Sequence, residues 1–185
     1  MDWKGLKAAG FRACVFDKDN TITDPYALTI KPELQESMAE CLEVFGRDQV
    51  SLLSNSAGLF QFDPDGKEAE IMEEALGIRV LRHREKKPGG SSHEISQQLG
   101  CRDDEMIMIG DRVLTDVVYG NRNGMFTIRV EPLTDQGEKK SVKLARALEE
   151  YLLHRWQNKG RKAPVHRLAP TEEDCLNKIK RPGCW

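Results

Sequence analysis

Asp17 and Asp19 stand two residues apart in Phe16-Asp17-Lys18-Asp19-Asn20-Thr21, directly after the apolar run Ala13-Cys14-Val15-Phe16. In extended backbone this spacing puts both carboxylates on one side and Lys18 on the other. Neighbouring carboxylates repel, burial strengthens the repulsion, and a cation removes it. Paired aspartates at the exit of a core strand therefore point to a divalent cation and phosphate chemistry. The competing reading is a solvated turn, in which Asp and Asn only bend the chain. Other residues that could complete such a site are Ser54 and Asn55 after Val50-Ser51-Leu52-Leu53, Lys87 before Pro88, and Asp111 and Asp116 after Met106-Ile107-Met108-Ile109. Each alone reads as a helix cap or a solvated charge, but all of them follow short apolar runs.

Those runs are the elements that must position them. Strands are expected over about 12–16, 50–54, 78–81, 106–109 and 125–130. Pro32 suits the first turn of a helix over 32–45, whose Leu34, Met38, Cys41, Leu42 and Phe45 recur at helical spacing before Gly46. Further helices are expected over 67–76, 91–99, from Asp116 to about 122, and over 138–153, the last with Val142, Leu144, Ala145, Leu148, Leu152 and Leu153 as its apolar face. Alternating short apolar strands and helices predict an α/β, doubly wound, Rossmann-like parallel sheet. Such sheets bind ligands outside the carboxyl ends of their strands. The candidate residues then share one rim, and that coincidence outweighs the bland readings taken singly.

The whole chain sets the bounds. Its 185 residues suggest one domain, and 39% apolar content suffices for a core. With 28 basic and 30 acidic residues, the charge balance selects no partner. No apolar run is long enough to span a bilayer. Residues 1–11 lack the continuous apolar core of a secretory signal and are too short to show a mitochondrial presequence, which would be Arg-rich and acid-poor. Five widely spaced cysteines without a CxxC pair fit a reducing compartment better than a disulfide framework or zinc site. The expected organisation is an amphipathic N-terminal segment over 1–11, a catalytic domain over 12–155 and a basic tail over 156–185. Trp3, Leu6 and Phe11 read either as a packed terminal segment or as an interfacial anchor. The tail reads as a solvated extension, a contact to an anionic membrane or nucleic acid, or packing on a neighbouring subunit.

The combination of DxDxT (Asp17, Asp19, Thr21), an apolar strand ending in Ser54, Lys87 before Pro88, and GDxxxxD (Gly110, Asp111, Asp116) resembles the haloacid dehalogenase (HAD) phosphatase superfamily over about residues 12–130. The resemblance implies a HAD-like core and a Mg²⁺-dependent phosphotransferase working through a phosphoaspartate. Asp17 is then the nucleophile and Asp19 the general acid and base. Asp17, the Asp19 backbone carbonyl, Asp111 and Asp116 are the metal residues. Ser54 and the Asn55 backbone N–H hold the phosphoryl oxygens, and Lys87 neutralises developing charge. The stretches VFDKDNTIT, LLSNSAG, VLRHREKKPGG and IMIGDRVLTDVVYGNRNGM are similar to the mitochondrial and plastid phosphatidylglycerophosphate phosphatase group and its bacterial relatives. That similarity implies release of phosphatidylglycerol on the path to cardiolipin. It also implies a peripheral address on the matrix side of the mitochondrial inner membrane.

About 32 residues separate Thr21 from Ser54, too few for a cap domain beside the expected helix, so the site should be open. An open site suits a large substrate, and leaves room for homo-oligomers whose subunits supply walls. Arg79, Arg82, His83, Arg84, Lys86 and Arg112 cluster near the expected mouth. Of these, Arg82, Arg84, Lys86 and Arg112 are the candidate substrate-binding residues, facing an anionic phospholipid at a membrane surface. No nucleic-acid partner is expected. The competing functions are a HAD phosphatase acting on a soluble or macromolecular phosphomonoester, and a non-catalytic HAD-like interaction module.

Overall fold

The computed structural model describes residues 1–171. Helix α1 covers Trp3–Ala8, and β1 covers Ala13–Phe16. Then come α2 (Pro32–Phe45), β2 (Val50–Leu52), α3 (Lys67–Leu76), β3 (Arg79–Val80) and α4 (His93–Leu99). The chain continues through β4 (Met106–Gly110), a π-helical turn over Val113–Val117, α5 (Val118–Arg122), β5 (Phe126–Arg129) and α6 (Lys140–Asn158). The strands form one parallel sheet in the order β3-β2-β1-β4-β5, the doubly wound arrangement expected.

Strand β1 lies at the centre because both its faces are apolar. Cys14 and Phe16 join one core with Leu52, Ile107 and Ile109 under α1, α2 and α3. Ala13 and Val15 join the other with Met106 and Met108 under α4 and α5. The register Val15↔Met108 and Phe16↔Ile109 brings the carboxyl ends of β1 and β4 level. The Asp17 N–H extends this ladder by donating to the Ile109 carbonyl at 2.8 Å. No helical cap interrupts the stretches between Thr21 and Ser54 or between Ser54 and Lys87; the first carries α2, a short 3₁₀ turn and β2, and the second α3 and β3.

Both ends of the described chain are built into the folded body. Residues 1–11 are part of the core: Trp3 is 1% exposed, and Leu6 and Phe11 are fully buried. Trp3 packs edge-on against Phe16 and Phe45, and its indole N–H donates to Ser37 Oγ at 3.0 Å. The packed-segment reading holds, and the anchor reading falls, because the apolar side chains it needs face inward. Likewise the chain folds back after α6. His166 stacks on Phe11 at 5.3 Å, Ala169 is buried in the same core, and Arg167 pairs with Asp104. The boundary expected at 155 therefore falls inside a helix, and the segment reaching 169 belongs to the folded body. Lys178, Lys180, Arg181 and the acidic run Glu172-Glu173-Asp174 of the expected basic tail lie outside the described residues.

Helix α6 meets its expected apolar face only in part. Its buried residue is Glu149, whereas Leu144 and Leu148 are exposed. The face turned inward is mixed: Val142, Ala145, Leu152 and Leu153 are half-buried there, beside Arg146 and Glu149, which meet the charged loop after β4. Among the described residues no helix is long and apolar enough to cross a membrane.

Candidate active site

The carboxyl ends of β1 and β4 bring three carboxylates together. Asp17 leaves β1, while Asp111 and Asp116 follow β4 and enter the π-helical turn. One oxygen from each lies within 4.8 Å of the others. The approach depends on Gly110, where a Cβ would stand 2.4 Å from the Asp116 carboxyl. The Arg112 N–H then fixes Asp116 by donating to Oδ2 at 3.1 Å. Thr21 Oγ1 donates to Asp111 Oδ1 at 3.3 Å, and the Arg146 guanidinium pairs with Oδ2. A cluster of hard oxygen donors in this arrangement fits a divalent cation.

Lys87 compensates the cluster. Its ammonium lies 2.7 Å from Asp17 Oδ1 and 2.7 Å from Asp116 Oδ1, and its side chain is 1% exposed. These two contacts hold its pKa well above the ordinary lysine value, although burial pulls it down. Burial dominates at Asp17 instead. Desolvation pushes its carboxyl up to about 6, the Lys87 charge pulls it down, and Asp116 pushes it up again. Desolvation also raises Asp111, against the pull of Arg146. Both are groups that gain from a second cation.

Asn55 sets the position of Lys87. Its side-chain oxygen accepts from the Lys87 backbone N–H at 2.8 Å, and its amide donates to the Lys87 carbonyl at 3.2 Å. The sequence directs attention to the Asn55 backbone; this reciprocal side-chain pairing was not legible there. Ser54 is buried, with its hydroxyl 3.0 Å from Ser56 Oγ.

Asp19 is nearby but outside the carboxylate cluster. Its Oδ1 accepts from the Lys18 ammonium at 2.5 Å and from the Tyr26 N–H at 2.9 Å. The strict alternation expected of Asp17, Lys18 and Asp19 fails because the strand ends at Phe16. Asn20 follows at φ 61°, a turn conformation that Asn tolerates, and Lys18 folds inward onto Thr23 and the Ala27 carbonyl. The Asp19 side chain remains 42% exposed.

The expected substrate cations divide. Arg84 and Lys86 are exposed at the mouth. Arg82 is turned to Glu73 and the Val80 carbonyl, at 3.1 and 2.6 Å. Arg112 is bound to Glu149 through Nε and Nη2. The expectation that these two arginines meet the substrate is corrected, because each is held against a glutamate in a partly buried pair, whereas the pair of Arg84 with Glu94 is open to solvent, with the arginine side chain 83% exposed. His83 is buried with Nδ1 3.2 Å from the Leu81 carbonyl, and desolvation lowers its pKa. Sequence reasoning also missed Arg146, Glu149 and Glu138. Glu138 accepts from Asn20 Nδ2 at 2.6 Å and from Arg146, which links the loop after β1 to α6. Charged residues on a helix that reads as apolar were the available signal.

The sequence matches the family described as mitochondrial PGP phosphatase over residues 1–134. It is 54% identical over 170 residues to the chloroplastic phosphatidylglycerophosphate phosphatase 1 of Chlamydomonas reinhardtii, covering 92% of this chain and 63% of that one. It is 50% identical over 183 residues to the chloroplastic/mitochondrial phosphatidylglycerophosphate phosphatase 1 of Arabidopsis thaliana, covering 99% of this chain and 51% of that one. A probable mitochondrial phosphatidylglycerophosphatase of Schizosaccharomyces pombe is 30% identical over 166 residues, with 84% of this chain and 75% of that one covered. The chain thus spans 63% and 51% of the lengths of the first two relatives.

Proposed function

The chain belongs to the mitochondrial PGP phosphatase family, and from that premise we propose that it hydrolyses the terminal phosphate of phosphatidylglycerophosphate, releasing phosphatidylglycerol and inorganic phosphate. The observation that carries the reading is the Lys87 ammonium held between Asp17 and Asp116 at 2.7 Å each, beside Asp111, at the open end of the sheet. Such a constellation is suited to an anionic group that loses and regains bonds at phosphorus.

Asp17 is the nucleophile in this proposal. A carboxylate oxygen attacks phosphorus, the bond to the glycerol oxygen breaks, and an aspartyl phosphate forms. Asp19, half-exposed and two residues on, gives a proton to the departing alkoxide. It then takes a proton from water, whose oxygen attacks phosphorus and frees Asp17. Lys87, Ser54 and the Asn55 backbone N–H bind the phosphoryl oxygens. Asp17, the Asp19 carbonyl, Asp111 and Asp116 would hold Mg²⁺, which offsets negative charge between nucleophile and phosphate when bound. Arg84 and Lys86 attract the anionic head group from the mouth.

In this proposal the enzyme works peripherally at an organelle membrane, on the matrix side of the mitochondrial inner membrane. The plastid is the competing address, because the relatives at 54% and 50% identity carry chloroplastic names. The test of function compares turnover of phosphatidylglycerophosphate with that of p-nitrophenyl phosphate, in wild type and Asp17→Asn. Preference for the lipid ester is expected, and Asp17→Asn should abolish both turnover and phosphoenzyme trapping with the fold kept. Equal preference for the soluble ester would sink the lipid assignment, and full turnover by Asp17→Asn would sink the mechanism.

A further inference from the structure

A phosphate carried by a lipid must be met at a surface, and the need for a docking face therefore rests on the proposed lipid substrate. Three aromatic rings are exposed on the loops that leave β1 and β2, neighbours in the sheet: Tyr26 at 61%, Phe60 at 65% and Phe62 at 54%. Their loops are tied to the site. The Tyr26 N–H donates to the Asp19 carboxylate at 2.9 Å, and the Phe60 N–H donates to the His83 carbonyl at 3.0 Å. Phe60 shares one cleft with His83 and Arg84, and those two residues also line the adjoining cleft that contains Lys87. An ammonium accompanies a ring on each loop: Lys139 stands 5.8 Å from the Tyr26 ring centre, and Lys86 stands 5.3 Å from that of Phe62. Tyr26 also sits at φ 63°, a conformation unfavourable to a bulky side chain. The fold holds this ring outward despite that cost.

We propose that Tyr26, Phe60 and Phe62, with Lys86 and Lys139, form an interfacial rim that docks the open end of the sheet on an anionic phospholipid surface. Aromatic rings settle at the head-group level of a bilayer, and lysines beside them are drawn to anionic lipids. Each of the two ring-bearing loops, bonded to the catalytic region, is met by a lysine from another segment, and this pairing turns the mouth toward the membrane. Trp3, Leu6 and Phe11 cannot do this, because they are buried. The exposed Leu144, Leu148 and Tyr151 of α6 lie away from the inward-facing Arg146 and Glu149, which are the side chains that tie the helix to the site.

The test is flotation of the full chain with vesicles of phosphatidylcholine alone, or mixed with phosphatidylglycerol. Wild type should float with the mixed vesicles. Phe60→Ser with Phe62→Ser should weaken that partition by at least about tenfold while leaving p-nitrophenyl phosphate turnover unchanged. Tyr26→Asn, which suits the positive φ, should weaken it separately. Vesicle binding that survives both variants overturns the proposal. So does an equal loss of soluble turnover, which would assign the phenylalanines to the fold or site. A change of oligomeric state in light scattering on Phe60→Ser with Phe62→Ser would assign the rim to a second copy of the chain instead. The two readings fail separately: hydrolysis of detergent-dispersed phosphatidylglycerophosphate without vesicle binding overturns the rim alone, and vesicle binding without lipid hydrolysis overturns the substrate alone.

Discussion

Arg112 and Glu149, 37 residues apart in sequence, are joined by a forked ion pair in which Nε and Nη2 of the guanidinium lie 3.0 and 2.9 Å from Glu149 Oε1. One turn earlier on α6, Arg146 pairs with Asp111. Consecutive residues of the loop after β4 are thus held by two residues of one helix, with the charges crossed. Residues 140–158 of that helix lie beyond the 1–134 matched by the family. Glu149→Gln should destabilise the protein by about 2 kcal/mol, below the full cost of breaking a buried pair because Arg112 keeps some solvent access. Urea unfolding measures this, and an unchanged midpoint would show that α6 does not brace the loop.

Lys87 has a different role, since its two carboxylate partners repel once it is gone. Lys87→Met should lower kcat by roughly 10²–10³, the usual effect of removing one preorganised charge from a site. It should also make stability of the metal-free protein fall on raising pH, as Asp17 ionises without a counter-charge. Circular dichroism melts across pH, with and without Mg²⁺, test this. A melt that ignores both would contradict the role assigned to Lys87.

The raised Asp17 carboxyl sets a pH dependence for metal binding. Its pKa of about 6 means that protons and a cation compete for the same oxygens below that pH. Apparent Mg²⁺ affinity should therefore fall as pH drops below 6, by up to about tenfold per unit for one displaced proton. The same raised pKa makes the metal-free fold lose stability as pH rises from the unfolded value of an aspartate through about 6. Titration calorimetry at about pH 5 and about pH 7, on either side of that value, would detect the first effect, and a pH-independent affinity would refute it.

Trp3 distinguishes a core residue from an anchor. With 1% exposure, two aromatic neighbours and a bonded indole N–H, Trp3→Ala should cost about 3–5 kcal/mol. Thermal unfolding should move down strongly, while vesicle binding of the still-folded protein stays as in wild type. The reverse pattern would restore the anchor reading.

The sequence by itself determined the sheet and the membership of its rim. Val15 and Phe16 on β1 and Met108 and Ile109 on β4 are apolar on both faces, and only a central parallel strand buries both. That placement carries Asp17, Asp111 and Asp116 to one edge whatever the rest of the chain does. The tertiary structure decided which charges are free to act. Arg82 and Arg112 read like Arg84 and Lys86 in sequence, yet Glu73 and Glu149 hold the first two in partly buried pairs, while Arg84 meets Glu94 only in a solvent-exposed one. It also decided which apolar residues are spare: Trp3 and Leu6 are consumed by the core, while Leu144, Leu148, Phe60 and Phe62 are not. Strand burial follows from local pattern, but pairing and exposure depend on partners brought from distant parts of the chain, and no local spacing encodes them.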